Sequence, residues 1–132
     1  MIYGIGHDIL EIKRVERLLS GKLSEAFMIK VLTTKECELA RNRGANKAEF
    51  VAGRFAAKEA ITKAFGCGIG AIIGFHDIEI LPDAWGKPWV QLSEEAWERL
   101  DLSGQIVDYA IHLSISHQRE MASTYAIVEQ LT

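Results

Sequence analysis

Near the start of the chain, apolar side chains alternate with glycine or polar positions, which predicts a strand from Ile2 to Ile9. Alternation sets Tyr3, Ile5, His7 and Ile9 on one face and Ile2, Gly4, Gly6 and Asp8 on the other. On that second face the glycines leave space where Asp8 projects. The period then becomes helical. Ile12, Val15, Leu18 and Leu19 form an apolar stripe that predicts a helix over Glu11 to Leu19. A second short helix is expected over Ser24 to Leu32, and a third, capped by Thr34, running towards Gly44.

The clearest helix spans Lys47 to Phe65. Asn46 stands at its N-cap position, with Glu49 three residues on in a capping-box-like arrangement, and Gly66 supplies a stop. CGIGAIIG reads as a glycine-spaced connection. Asp77 to Leu81 and Pro88 to Leu92 read as paired strands around the turn-rich PDAWGKP, and Ser93 as the cap of a short helix ending near Leu100. Tyr109 to Ser116 and Ala122 to Val128 form a terminal hairpin. With neither repeats nor linkers, residues 1–132 read as a single α+β domain, a small antiparallel sheet packed by a long central helix and shorter ones.

Composition narrows this picture. At 132 residues and 48% hydrophobic, the chain can build a core. The net charge of −3 gives no general reason to expect nucleic acid, so attraction to an anionic partner must come from local clusters. No apolar run approaches the roughly 20 residues of a membrane span, and the N-terminal segment lacks the pattern of a signal peptide, which points to the cytoplasm. Cys37 and Cys67 are too few for a disulfide framework or a zinc site and read as free thiols.

Three residues stand out chemically. Asp8 ends an apolar strand beside two glycines and reads as a helix cap or as a ligand. Glu59 lies in a stripe with Ala52, Phe55, Ala56, Ala60 and Lys63 on the long helix, most of which should face the core. A Glu59–Lys63 pair of about 0.2–0.5 kcal/mol is the plain compensation. A divalent cation shared with Asp8 is the stronger one, because two carboxylates with waters and phosphates commonly hold magnesium.

Other features are less specific. His112, Ser114 and Ser116 share a strand face and His117 stands at its end, but no G-x-S-x-G elbow accompanies them. GCGIG follows a helix rather than preceding one, so it lacks the helix N-terminus of a phosphate loop. Lys13, Arg14, Arg17 and Lys22 form one basic cluster, and Arg41, Arg43 and Lys47 another, each either solvated surface or a site for an anionic partner.

Together, GIGHDILEIKR, FVAGRFAAKEAITKAFG, GKP and SISH resemble, in order and spacing over essentially the whole chain, the short bacterial type of phosphopantetheinyl transferase, the acyl-carrier-protein synthase family. The resemblance implies that Asp8 and Glu59 bind magnesium, with manganese an alternative, and that Lys63 lies at the phosphates of coenzyme A. It places Arg54, Lys87 and His117 around the coenzyme, and Arg14, with Arg17 beside it, where the acidic carrier protein docks. It further implies a homotrimer with sites between subunits. One departure is His7, where the family usually has an apolar residue.

The activity so implied is transfer of 4′-phosphopantetheine from coenzyme A to a serine of apo-acyl carrier protein, releasing adenosine 3′,5′-bisphosphate, in fatty acid biosynthesis. The residues leave the proton acceptor open between Glu59, a water on the metal and another nearby group. Two competing classes use the same features: a magnesium-dependent phosphohydrolase, and a non-catalytic nucleotide-binding or assembly module.

Overall fold

In the computed structural model, which describes residues 1–131, the strands among the described residues form two antiparallel sheets rather than one. The larger has the order β1-β5-β4, made of β1 (Ile2–Glu11), β4 (Tyr109–His117) and β5 (Met121–Gln130). The smaller pairs β2 (Ile78–Pro82) with β3 (Pro88–Leu92). The helices are α1 (Ile12–Ser20), α2 (Ser24–Val31), α3 (Thr34–Arg41), α4 (Lys47–Phe65) and α5 (Glu94–Leu100).

Helix α4 lies across the inner face of the large sheet, where every second residue of β5 (Ala122, Thr124, Ala126 and Val128) is fully buried. Its own Ala52, Ala56 and Ala60 are fully buried as well. Small side chains on both elements let the helix settle close to the strands. One apolar cluster joins Ile61, Phe65, Ile78, Ile80 and Tyr109, and a second joins Ile12, Val15, Met28, Val51 and Ala122. Burying an isoleucine- or valine-sized side chain contributes about 1.5–3 kcal/mol, so these clusters set the order of the layers.

Gly4 and Gly6 do not open space beside Asp8, in contrast to what the strand alternation implies. A Cβ at Gly4 would stand 1.9 Å from the Ala64 carbonyl oxygen, and one at Gly6 would stand 1.8 Å from that of Ala60. The α4 backbone already fills the room that side chains would need.

Two helix starts also differ from expectation. Helix α3 is capped by Thr33, not Thr34: Thr33 Oγ1 accepts from the Glu36 amide and Glu36 Oε1 accepts from the Thr33 amide, a complete capping box. Asn46 makes no side-chain cap on α4, because a 3-10 turn over Gly44–Asn46 carries the backbone directly into the helix. The far end behaves as read from sequence. Gly66 adopts a left-handed conformation, its amide donating to Lys63 O. Ser93 likewise caps α5, its hydroxyl accepting from the Ala96 amide.

A buried ion pair was not legible in the sequence. Lys58 and Glu36 are fully buried, with Nζ 2.6 Å from Glu36 Oε1. Lys58 also donates to the carbonyls of Val31 and Phe75, and Glu36 Oε2 accepts from the Ile80 amide. Burial pulls the Lys58 ammonium below its ordinary pKa while Glu36 opposes the shift. The pair ties α2, α3, α4 and β2 together.

Candidate active site

Strand β1 continues to Glu11 and α1 begins at Ile12, so Asp8 is not a helix cap. Its partner across β5 is Thr124, whose fully buried Oγ1 has no hydrogen-bond partner. On the helix side, Lys63 Nζ donates to Asp8 Oδ1 at 2.9 Å and to the His7 carbonyl at 3.1 Å. The i,i+4 pair between Glu59 and Lys63 is thus replaced by a contact that crosses from helix to strand.

Glu59 lies at the edge of the buried face of α4 rather than within the core, between fully buried Ala56 and Ala60. It lines a cavity with Asp8, Arg14, Phe27 and Phe55. Burial, chiefly, and the neighbouring Asp8 charge raise the Glu59 carboxyl above its ordinary pKa, while Lys63 opposes the rise. Two carboxylates facing one cavity, one carrying this penalty, are hard oxygen donors of the kind a divalent cation relieves. The chemistry of this donor pair fits a hard cation such as magnesium or manganese. Among the described residues, no group of three or more His, Cys, Asp or Glu side chains gathers as an all-protein metal cage. The fit is therefore to an ion whose remaining positions are filled by water or substrate oxygens.

A second cavity, sharing none of these residues, is lined by Arg43, Glu49, Gly53, Arg54, Gly86 and His117, among others. Arg54 is largely buried. Its Nε donates to the Ile80 carbonyl at 3.1 Å, and its guanidinium lies 4.4 Å from the Phe50 ring centroid. Burial lowers its pKa to about 10, so it remains a cation at neutral pH. His117 Nδ1 lies 3.1 Å from Glu49 Oε1, the partner that Glu49 takes instead of a capping role. The Gly86–Pro88 rim is fixed by Asp83, whose Oδ1 accepts from the Trp85 and Lys87 amides.

The structure thus brings Asp8, Glu59 and Lys63 together, with Arg14 at the same cavity, and groups Arg54 with His117 elsewhere. Lys87 lines neither of these cavities. It borders a third beside Trp89, Tyr109 and His112. Arg17 is exposed and donates back to Lys13 O within α1. His7 points to the outer face as alternation required, stacked on Tyr125 at 4.1 Å with Nε2 3.2 Å from Ser123 Oγ. Sequence reasoning missed Thr124 and Glu49. The register of β1 on β5, which sets Thr124 opposite Asp8, was the missing signal for the first. For the second, no local signal existed.

A family model described as the 4′-phosphopantetheinyl transferase superfamily matches residues 4–122. The chain belongs to this superfamily. It is 45% identical over 133 residues to the holo-[acyl-carrier-protein] synthase of Bacillus cereus strain ATCC 14579, covering 100% of this chain and 99% of that protein. Its fold is similar to a crystal structure of the Bacillus anthracis holo-(acyl-carrier-protein) synthase in complex with CoA (3′,5′-ADP), with a TM-score of 0.81, 41% identity and 98% of both chains covered. The Neisseria meningitidis holo-[acyl-carrier-protein] synthase superposes with a TM-score of 0.86 at 35% identity, covering 98% of this chain and 100% of that one. Superfamily membership matches the resemblance seen in the sequence. No helix among the described residues is long and apolar enough to cross a membrane.

Proposed function

We propose that residues 1–132 form one phosphopantetheinyl transferase domain that moves 4′-phosphopantetheine from coenzyme A to a serine of apo-acyl carrier protein. The observation that carries the reading is the Asp8–Glu59 cavity with Lys63 at its edge, in a chain that is 45% identical along its whole length to a holo-[acyl-carrier-protein] synthase. The serine oxygen attacks the β-phosphorus of coenzyme A and forms a new phosphodiester. The bond from that phosphorus to the bridging oxygen breaks, adenosine 3′,5′-bisphosphate departs, and the serine proton is released.

Asp8 and Glu59 would hold the cation, which when bound supplies charge neutralisation and polarisation at the pyrophosphate. Lys63, on its flexible stem, donates to phosphate oxygens and stabilises charge that develops there. Arg54 and His117 bind the nucleotide end, Arg54 held rigidly enough by Phe50 and Ile80 to orient a phosphate. Lys87, within the Gly86–Pro88 rim, adds a cation on the side that faces Trp89 and His112. Arg14, at the carboxylate cavity, and Arg17 along the same helix meet the acidic carrier.

The family resemblance implies a homotrimer, and because the two cavities share no lining residue, the carboxylate side of one copy would face the Arg54–His117 side of the next. Consistent with such packing, the outer face of the large sheet leaves Tyr3, Ile5, Ile9 and Tyr125 about half exposed. Light scattering should give the mass of three chains, and the mass of one chain would refute that assembly. The setting is cytoplasmic fatty acid biosynthesis.

Incubation with coenzyme A, magnesium and apo-carrier protein, followed by intact-mass measurement, tests the reaction. A carrier gaining one phosphopantetheine supports transfer. Coenzyme breakdown with an unmodified carrier would make the chain a hydrolase, and no change in either would make it a binding module.

A further inference from the structure

Lys63 makes its contacts at the one place where an ammonium and a divalent cation would compete. Its Nζ is bonded to Asp8 Oδ1 at 2.9 Å and to the His7 carbonyl at 3.1 Å. Asp8 is the better sheltered partner, its side chain 18% exposed against 50% for Lys63. The lysine can therefore swing into solvent while the aspartate stays fixed by its strand. Glu59 lines the same cavity as Asp8. Among the described residues, the Lys63 ammonium is the cation paired with the Asp8 carboxylate.

We infer that Lys63 is a placeholder for the divalent cation, holding Asp8 until metal and the coenzyme pyrophosphate arrive together. A bound cation would repel an ammonium left on the same carboxylate. The pyrophosphate offers that ammonium a new anionic partner, and Lys63 has the reach and rotamer freedom to take it. Metal alone must displace Lys63 without this compensation, so metal and coenzyme favour one another's binding. The same residue then serves Asp8 in the resting protein and the phosphates in the loaded one. This inference rests on the assignment of Asp8 and Glu59 as metal ligands.

The test is manganese binding to the protein without coenzyme, read from the loss of the free-ion electron paramagnetic resonance signal. Lys63→Met should bind manganese about threefold or more tightly than the unaltered chain, the scale expected for removing a partly exposed ion pair. Lys63→Gln, which keeps a polar head but no charge, should behave likewise, while Lys63→Arg should not gain affinity. Far-ultraviolet circular dichroism of each variant verifies the fold, and whichever neutral variant folds carries the result. Equal or weaker manganese binding in the neutral variants would overturn the placeholder role while leaving the metal site intact. Manganese binding that survives Asp8→Asn unchanged would instead overturn the metal assignment, and the inference with it.

Discussion

The carbonyl oxygen of Ala60 occupies the space that a side chain at Gly6 would need, 1.8 Å from where its Cβ would stand. Strand β1 and helix α4 can approach this closely only because Gly6, and Gly4 before it, have no Cβ. Two residues beyond Gly6 on the same face, Asp8 reaches Lys63 across the gap. The spacing of the candidate site is thus set by glycines packed against the α4 backbone.

Gly6→Ala should therefore cost about 3 kcal/mol or more, because backbone rather than a pliable side chain opposes the new atom. Urea denaturation measures this directly. Gly70→Ala is the control, since nothing lies within 4 Å of its added Cβ, and should change stability by about 1 kcal/mol or less. Equal effects at the two positions would contradict the close-approach argument.

The buried Lys58–Glu36 pair makes a separate prediction. Removing one partner leaves a buried charge or donor unpaired, so Glu36→Gln and Lys58→Met should each destabilise the chain by about 3–5 kcal/mol. The double variant should lose less than the sum of the two. Additive losses in chemical denaturation would show that the pair does not act as a unit.

Glu59 should behave in the opposite sense. Its raised carboxyl pKa means that the folded chain holds this proton more tightly than the unfolded one. That contribution is complete below the unfolded pKa and is lost as pH rises through the folded value. Without metal, Glu59→Gln should then melt a few degrees higher than the unaltered chain at neutral pH. The gap should close as pH falls to the ordinary carboxylate range. Melting curves that differ equally at both pH values would place the effect elsewhere.

Arg14 lines the carboxylate cavity from an exposed position on α1. Arg14→Glu should raise the apparent KM for the carrier protein several-fold more than that for coenzyme A, because reversing a charge at the rim of an interface acts mainly on the charged macromolecule. Steady-state kinetics with each substrate varied in turn separates the two.

Much of this architecture was legible in the sequence because its signals are local. The alternation of β1 set Asp8 on the same face as Gly4 and Gly6, and the alanine-rich run up to Gly66 defined α4 and its end. What stayed hidden depends on contacts between distant segments. Gly4 and Gly6 looked like cleared space because the helix that fills it begins some forty residues later. Lys58 looked like one more charged helix position because Glu36, on α3, supplies the compensation that permits its burial. Asn46 had the chemistry of an N-cap but not the extended backbone one requires. Arg54 and Glu59, five residues apart on one helix, open into different cavities, which spacing alone could not separate.

The most direct test of the whole account is the intact mass of the carrier protein after reaction with Glu59→Gln. Coenzyme A is held saturating and magnesium limiting, and circular dichroism verifies the fold. The unaltered chain should add one phosphopantetheine per carrier, and the variant should slow that addition by about a hundredfold or more, because it weakens the hold on the cation that offsets transition-state charge. Addition by the variant at the unaltered rate would contradict the Asp8–Glu59 assignment at the centre of the proposed mechanism.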